Sequence, residues 1–506
     1  MSNRIIALLV FAVPHALHAA EISSNGVGGG AWSDPMTWRG KKVPGPVDDV
    51  VIQKYDTVAF DRNDDGKVSC RKLQIDPRGL FTFKTGAGKQ LCAVGDAVES
   101  FGVIKLDGTR SANDSLELRL LGDTADKRKI KLGKGGGLLL YGKDNLPDGR
   151  RNVALTSPKT AEQKEDLLSI VECNGAVSID WQRADVLNVK LMAKKIDNTG
   201  AKSNERINLI ENRFTGFSRV WIHTCDTPVI ARNSFEFASP KPLDEPAINL
   251  NFCPLAEIKA NTIRGGFQIG VTVNYQSDSV IVGNTIEKCT FAITGGYGIP
   301  NTMIRQCTIR ACETGIKLEG ASGVIENTDV EGATTAFHIQ NANLQLTSFR
   351  VKNLAPKGNA VLFDSGAMTL LNCNIAADQI KIAPQAATVK TDLVTCLHHV
   401  IVAVKDAPAD CLVEVRTSNL PADTGDPNVR NTPAPLPQGL TPSPKTFNPL
   451  IVKAWSIDVK GKLQGAPEYT VKVLGPAAKE GEARPVLKMT TFRPDAATPT
   501  LEVKLK

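Results

Sequence analysis

After residue 20 the chain has no apolar run approaching the roughly 20 residues that a membrane span needs, so no transmembrane helix is expected. Helix-turn-helix, zinc-finger and RNA-binding signatures are also lacking, and a formal net charge of +7 over 506 residues is small. Nucleic acid is therefore not an expected partner, while an acidic polysaccharide is slightly favoured. Neither a Gly-x-Ser-x-Gly elbow nor a His-Glu-x-x-His helix is present, which leaves esterase and zinc-protease chemistry without support. Aromatic residues make up only 5% and charged residues 22%, against 42 glycines and 29 prolines. That balance suits an all-β chain with many turns and is too apolar for disorder. Eleven irregularly spaced cysteines give no disulfide framework, and the odd number leaves at least one unpaired. Cys70 with Cys92, or Cys396 with Cys411, remain open as pairs in an oxidising compartment.

What is present is a repeat. A four-residue phrase ends at Phe214, Phe235, Ile263, Ile286, Ile309, Val330, Phe349 and Ile375, with successive anchors 21, 28, 23, 23, 21, 19 and 26 residues apart. A loose period of that size belongs to a solenoid. Two places before each anchor stands Asn212, Asn233, Asn261, Asn284, Cys307, Thr328, Thr347 or Cys373. With one repeat per coil these residues stack at roughly 4.8 Å, and asparagine amides can bond along the stack. Cys289 and Cys312 match three places after their anchors and suit small buried thiols better than a metal site. Between the phrases, runs such as Gly315–Glu319 and Ala336–Gln340 alternate with a period of two, apolar side in and polar side out. These features predict a right-handed parallel β-helix and resemble the pectin-lyase-like kind.

The expected organisation is a signal peptide at 1–20, a β domain at 21–150, the β-helix at 151–418, a Pro-rich linker at 419–450 and a small C-terminal β module at 451–506. Arg4, the apolar run Ile5–Val13 and Ala16–Ala20 read as an export signal, which places the mature protein outside the cell, on its surface or in a periplasm. Lys194–Arg206 reads as a charged insertion between coils, and 419–450 as a partly polyproline segment. Within the first β region, Trp32-Ser33-Asp34-Pro35-Met36-Thr37-Trp38 is followed by Val43-Pro44-Gly45-Pro46-Val47-Asp48-Asp49-Val50-Val51-Ile52. Together with the spread of glycines over about 30–145, these phrases resemble the G8 domain of extracellular proteins. That family includes the cell-migration-inducing hyaluronan-binding proteins and fibrocystin-like receptors. The resemblance implies a β domain preceding a parallel β-helix and a role tied to glycans or matrix, without naming a reaction.

Laying the strand register over neighbouring coils gathers Trp221, His223, Tyr275, Tyr297, Lys317, Glu319, His338 and Asp364 on one outward face. Aromatic rings stack on the apolar faces of sugars while polar groups meet their hydroxyls, so an extracellular polysaccharide is the expected partner. The binding residues would be Trp221, His223, Tyr275 and Tyr297. Two chemistries fit the rest. His338 as base with Lys317 as cation suits a lyase acting on a uronic acid, and Glu319 with Asp364 suits a glycoside hydrolase. A non-catalytic adhesion or spacer protein, with these residues merely solvated, is the alternative. Asn327-Thr328-Asp329 matches one polygalacturonase motif, but its Asp-Asp, Gly-His-Gly and Arg-Ile-Lys partners are absent. No cofactor is expected, unless calcium is held by Asp61, Asn63 and Asp65. That stretch opens like an EF-hand loop, but its twelfth position is Lys72 where a bidentate carboxylate is needed, so a polar turn is the simpler reading.

Overall fold

The computed structural model describes residues 20–143, 151–157, 168–194, 206–237, 243–383, 393–417, 429–431, 445–446, 450–476, 482–493 and 500–505, with a few isolated positions left out. The expected export signal, nearly all of the expected insertion at 194–206 and nearly all of the expected Pro-rich linker lie outside the described residues. Two compact units divide the chain, Met1–Glu205 and Arg206–Lys506.

In the first unit, three parallel ladders form the walls of a coil. One runs through Glu21–Ser23, Asp49–Ile52, Lys72–Ile75, Val98–Ser100, Lys129–Leu132, Ser169–Asn174 and Val189–Lys194. A second runs through Gly29–Ala31, Thr57–Phe60, Leu80–Phe83, Val103–Asp107, Gly137–Tyr141 and Ser178–Gln182. The third joins Lys89–Val94, Ser115–Leu120, Val153–Thr156 and Asp185–Leu187. The chain is thus an all-β, right-handed parallel β-helix, the hand that parallel crossovers take.

Among the described residues parallel pairing starts with Glu21–Ser23, and across residue 150 Gly137–Tyr141 pairs in register with Ser178–Gln182. Period-two alternation places strands correctly but looks the same for parallel and antiparallel neighbours. The Trp-x5-Trp phrase packs locally. Asp34 caps the turn Pro35–Thr37, Trp32 and Trp38 are buried edge-to-face at 5.1 Å, and Trp32 meets Phe60 at 5.3 Å.

The acidic stretch after Phe60 has hydrogen-bond and ion-pair partners within the fold. Asp61 accepts from Ser33 N and Oγ, Asp64 pairs with Arg62 at 2.9 Å, and Asp65 pairs with Lys89 at 2.9 Å.

The second unit repeats the three walls. Its front wall consists of Arg219–His223, Ile248–Asn251, Ile269–Asn274, Phe291–Gly296, Thr314–Glu319, Thr335–Gln340, Asn359–Phe363 and Ile380–Ile382. Most corners of the coil are turned by a left-handed residue. One corner column reads Arg232, Ala260, Gly283, Gln306, Asn327, Ser348 and Asn372, and the column after the front wall reads Thr224, Phe252, Tyr275, Tyr297, Gly320 and Asn341. Between the first corner and the next strand lies the asparagine stack. Asn212 N donates to Asn233 Oδ1 at 2.8 Å, Asn233 N to Asn261 Oδ1 at 3.0 Å, and Asn261 N to Asn284 Oδ1 at 2.9 Å.

One expected anchor moves. Val330 pairs with Val351, so the seventh anchor is Val351 and the last three spacings become 21, 21 and 24. Phe349 stands in the polar column in place of Thr347, buried against Phe337 at 6.0 Å. The phrase Leu-Thr-Ser-Phe imitates the repeat two residues early because an aromatic residue fills the place of the polar one.

All eleven cysteines are buried and outside any disulfide, so neither of the pairings left open by the sequence, Cys70 with Cys92 or Cys396 with Cys411, is formed. Burial pushes the thiols of Cys253, Cys307 and Cys373 up to about 11 and those of Cys225 and Cys396 up to about 12. In these five, thiolate, the reactive form, is therefore scarce as well as inaccessible. The folded protein is expected to leave Ellman's reagent unreacted at about pH 8 and to titrate all eleven thiols in concentrated guanidinium. Rapid reaction of any thiol in the folded state would contradict this packing.

At its far end the coil passes into antiparallel structure. The twelve-residue strand Val394–Lys405 pairs in parallel with Gly366–Leu371 and then antiparallel with Leu450–Ile457. Val400, Val402, Val404, Cys411 and Val413 share a core with Val452, Tyr469, Val471, Val473 and Val503. Residues 400–417, expected in the coil, therefore contribute to the same core as 450–503.

Candidate functional site

The front wall of the second unit presents two outward rows because alternate side chains face away from the coil. Register aligns Trp221, Asn249, Thr272, Thr294, Lys317, His338, Leu362 and Lys381 in one row. The other row aligns His223, Asn251 and Asn274, and farther along Glu319 with Gln340. Hydrogen bonds fix the rows: Asn274 Nδ2 donates to Asn251 Oδ1 at 3.2 Å, Asn251 Nδ2 donates to Asn249 Oδ1 at 3.1 Å, and the Thr272 and Thr294 hydroxyls lie 2.8 Å apart.

Beside the second row the corner carries a ladder of aromatic rings. Phe252 and Tyr275 stack with centroids 4.9 Å apart and planes 10° apart, and Tyr275 and Tyr297 at 5.0 Å and 12°. His223 meets Phe252 edge-on at 5.2 Å. All three ladder residues have left-handed backbones, with φ of 52°, 54° and 61°. Large side chains adopt that conformation at a cost, and here the rings remain substantially exposed, Tyr297 at 62%. Exposed, strained aromatics in file are not explained by core packing.

A shallow groove of about 260 Å³ follows the ladder, lined among others by Thr272, Asn274, Thr294, Tyr297, Lys317 and Glu319. The Lys317 ammonium lies 6.0 Å from the Phe291 ring centre. Among the described residues neither Lys317 nor Glu319 has an ion-pair or hydrogen-bond partner. One coil on, His338 Nε2 lies 2.9 Å from Asp364 Oδ2, with the two side chains 18% and 32% exposed. A carboxylate at Nε2 favours the tautomer that carries its proton there and leaves Nδ1 as an acceptor.

The structure thus brings Tyr275, Tyr297, Lys317, Glu319, His338 and Asp364 to consecutive coils. Trp221 and His223 share the face, but Trp221 lies four coils from Lys317, roughly 19 Å at the strand spacing. The sequence reading missed Phe252, Thr272, Asn274 and Thr294. Phe252, Tyr275 and Tyr297 each follow an outward row residue, Asn251, Asn274 and Gly296, by one place. That offset becomes visible once the strands are in register.

The fold and the outward face define a parallel β-helix protein with an aromatic and polar groove on one wall. Residues 189–352, 164 of 506, are similar to the family described as periplasmic copper-binding protein (NosD), a span that takes in the groove and His338 but stops short of Asp364. No curated protein matches the sequence. Among solved structures, a crystal structure of the periplasmic alginate epimerase AlgG aligns at 12% identity and a TM-score of 0.34, over 62% of this chain and 74% of that one. A likeness that distant carries no conclusion about this chain. Among the described residues no group of three or more His, Cys, Asp or Glu side chains converges on a point where a metal would sit. The buried thiols, pushed toward the protonated form, also fit copper poorly.

Proposed function

We propose that this is an exported or periplasmic protein that binds an acidic polysaccharide along the front wall of its second unit and abstracts a proton beside a uronate carboxyl group. The carrying observation is the exposed Phe252–Tyr275–Tyr297 ladder running beside the polar groove. Aromatic surface supplies contact to sugar rings, and the adjoining amides, hydroxyls and ammonium meet hydroxyl and carboxylate groups.

The His338–Asp364 pair supports proton abstraction over hydrolysis. A hydrolase needs two carboxyl groups free to act on the glycosidic bond, and Asp364 is engaged by the imidazole. A histidine held by a carboxylate, with an ammonium on the neighbouring coil, has the parts to take the proton at C5 and to stabilise the enolate that forms. The enolate then either expels the 4-linked sugar or is reprotonated.

The periplasmic description of the similar family and the apolar N-terminal run at 1–20 support export. On this reading the G8 resemblance describes the first coils of the helix, and 419–450 is a linker.

Affinity electrophoresis in gels containing uronic-acid or neutral polysaccharides tests the binding. Replacing Phe252, Tyr275 and Tyr297 together by alanine is expected to weaken polymer binding at least about tenfold, the equivalent of about 1.4 kcal/mol, with little change in melting temperature. Polymer binding that survives all three replacements would move the site elsewhere. A wild-type protein that retards in no gel would leave the rigid-spacer reading.

A further inference from the structure

The aromatic ladder stops one rung short of the groove's polar end, and the missing rung has the dimensions of a sugar ring. Gly295 pairs with Leu318, and Leu318 with Ile339. Two residues farther along each coil, Tyr297, Gly320 and Asn341 therefore occupy successive positions of the corner column, all left-handed with φ of 61°, 59° and 48°. Tyr275 covers one face of Tyr297, but no side chain of Gly320 covers the other. The exposures agree: Tyr297 is 62% exposed and the sandwiched Tyr275 38%. Between the Tyr297 ring and Asn341 lie two coil spacings, roughly 9.6 Å. A ring stacked on Tyr297 at the spacing the ladder itself uses takes half of that height and leaves the rest to the Asn341 side chain.

Resting on the reading that this wall binds polysaccharide, we propose that the gap at Gly320 is a subsite for one pyranose ring of a hexuronate. The sugar ring stacks on the free face of Tyr297 as the next rung. Lys317, on the same outward wall three residues before Gly320 and without an anionic partner among the described residues, takes the ring's carboxylate. Glu319, immediately before Gly320, accepts from its hydroxyl groups. A neutral sugar leaves the Lys317 ammonium unmatched, so the subsite discriminates by charge. The neighbouring His338 is then on the coil next to the carboxylate-bearing carbon.

Filling the gap tests the assignment. A Cβ at Gly320 would meet nothing closer than Gly298 N at 3.5 Å, an ordinary contact. The same column accepts aromatic side chains at nearly the same φ in three other coils. Gly320→Tyr should therefore fold into the same coil, with a melting temperature lowered modestly because a left-handed backbone costs tyrosine what it does not cost glycine, while supplying the rung in place of the sugar. The probes are trimers of galacturonate, glucuronate and mannuronate, with cellotriose as the neutral control, titrated by calorimetry. The wild type is expected to bind at least one hexuronate trimer about tenfold more tightly than cellotriose, and Gly320→Tyr to weaken that binding by about tenfold or more. Lys317→Met is expected to remove the preference over cellotriose.

Wild-type affinity in Gly320→Tyr, or an undiminished preference in Lys317→Met, overturns the subsite. So does failure of every hexuronate trimer to bind. If polymer binding still depends on the aromatic ladder in any of those cases, the subsite fails alone and polysaccharide binding stands. If the wild type binds no polymer either, both fall.

Discussion

Replacing Asn261 by alanine is expected to destabilise the protein by about 2–4 kcal/mol, through hydrogen bonds whose partners have no access to water. Asn261 is 1% exposed. Its Oδ1 accepts from Asn233 N and Asn233 Nδ2, both at 3.0 Å, while its Nδ2 donates to Ile230 O at 2.8 Å and Asn284 Oδ1 at 3.0 Å. Alanine leaves the Asn233 backbone N–H buried without a partner and opens a small void on a column that runs up the coil. Asn261→Thr should cost about half as much, because the column already contains that solution. Thr328 Oγ1 donates to Glu326 O at 3.1 Å and accepts from Cys307 N at 3.4 Å. Urea unfolding followed by circular dichroism measures both variants. Equal midpoints for Asn261→Ala and the wild type would mean that the asparagine stack decorates the coil without holding it.

The same column shows how much of this protein was legible in its sequence. Asn212, Asn233, Asn261 and Asn284 announce a coil because each accepts or donates at its counterpart in the adjacent coil, and such a column repeats one residue type at one place in the repeat. Where the column changes chemistry the pattern fails, and the buried Phe349 misled the register by two residues. Up to residue 150 the first unit was legible as strands and not as coils, while its later strands were read as the first coils. Its third wall begins only at Lys89–Val94, and no asparagine column advertises which strands are neighbours.

The site was half legible for a related reason. Lys317, Glu319 and His338 follow from strand alternation alone, so they were found. Tyr275 and Tyr297 were named from the ends of their strands, but Phe252, in the same corner column, was not, because corners have no periodicity to read. The pairing of His338 with Asp364 was equally hidden. Asp364 stands one residue beyond its strand Asn359–Phe363, and only the coil's closure brings it to the imidazole.

The largest effect is expected from His338→Ala, which should lower the rate of C5 proton exchange in a bound oligouronate by about 10²–10⁴-fold. Exchange is the right quantity to follow, because it records abstraction whether the enolate eliminates or returns its proton. In deuterium oxide the C5 signal of the sugar fades from the proton spectrum only if a base has removed that proton. On the proposed reading His338 acts as the base, since Asp364 holds Nε2, at 2.9 Å, and leaves Nδ1 to act. Asp364→Asn keeps the side chain's size while removing the charge that steadies the imidazolium. It should slow exchange severalfold to a hundredfold, and affinity for the trimer should change much less. Lys317→Met should slow exchange and weaken binding together, since the ammonium attracts both the ground-state carboxylate and the enolate. Exchange that persists in His338→Ala would place the base elsewhere on the wall. A wild-type protein that binds oligouronates and never exchanges the C5 proton would be a recognition module, its His338–Asp364 pair serving to order the outward row.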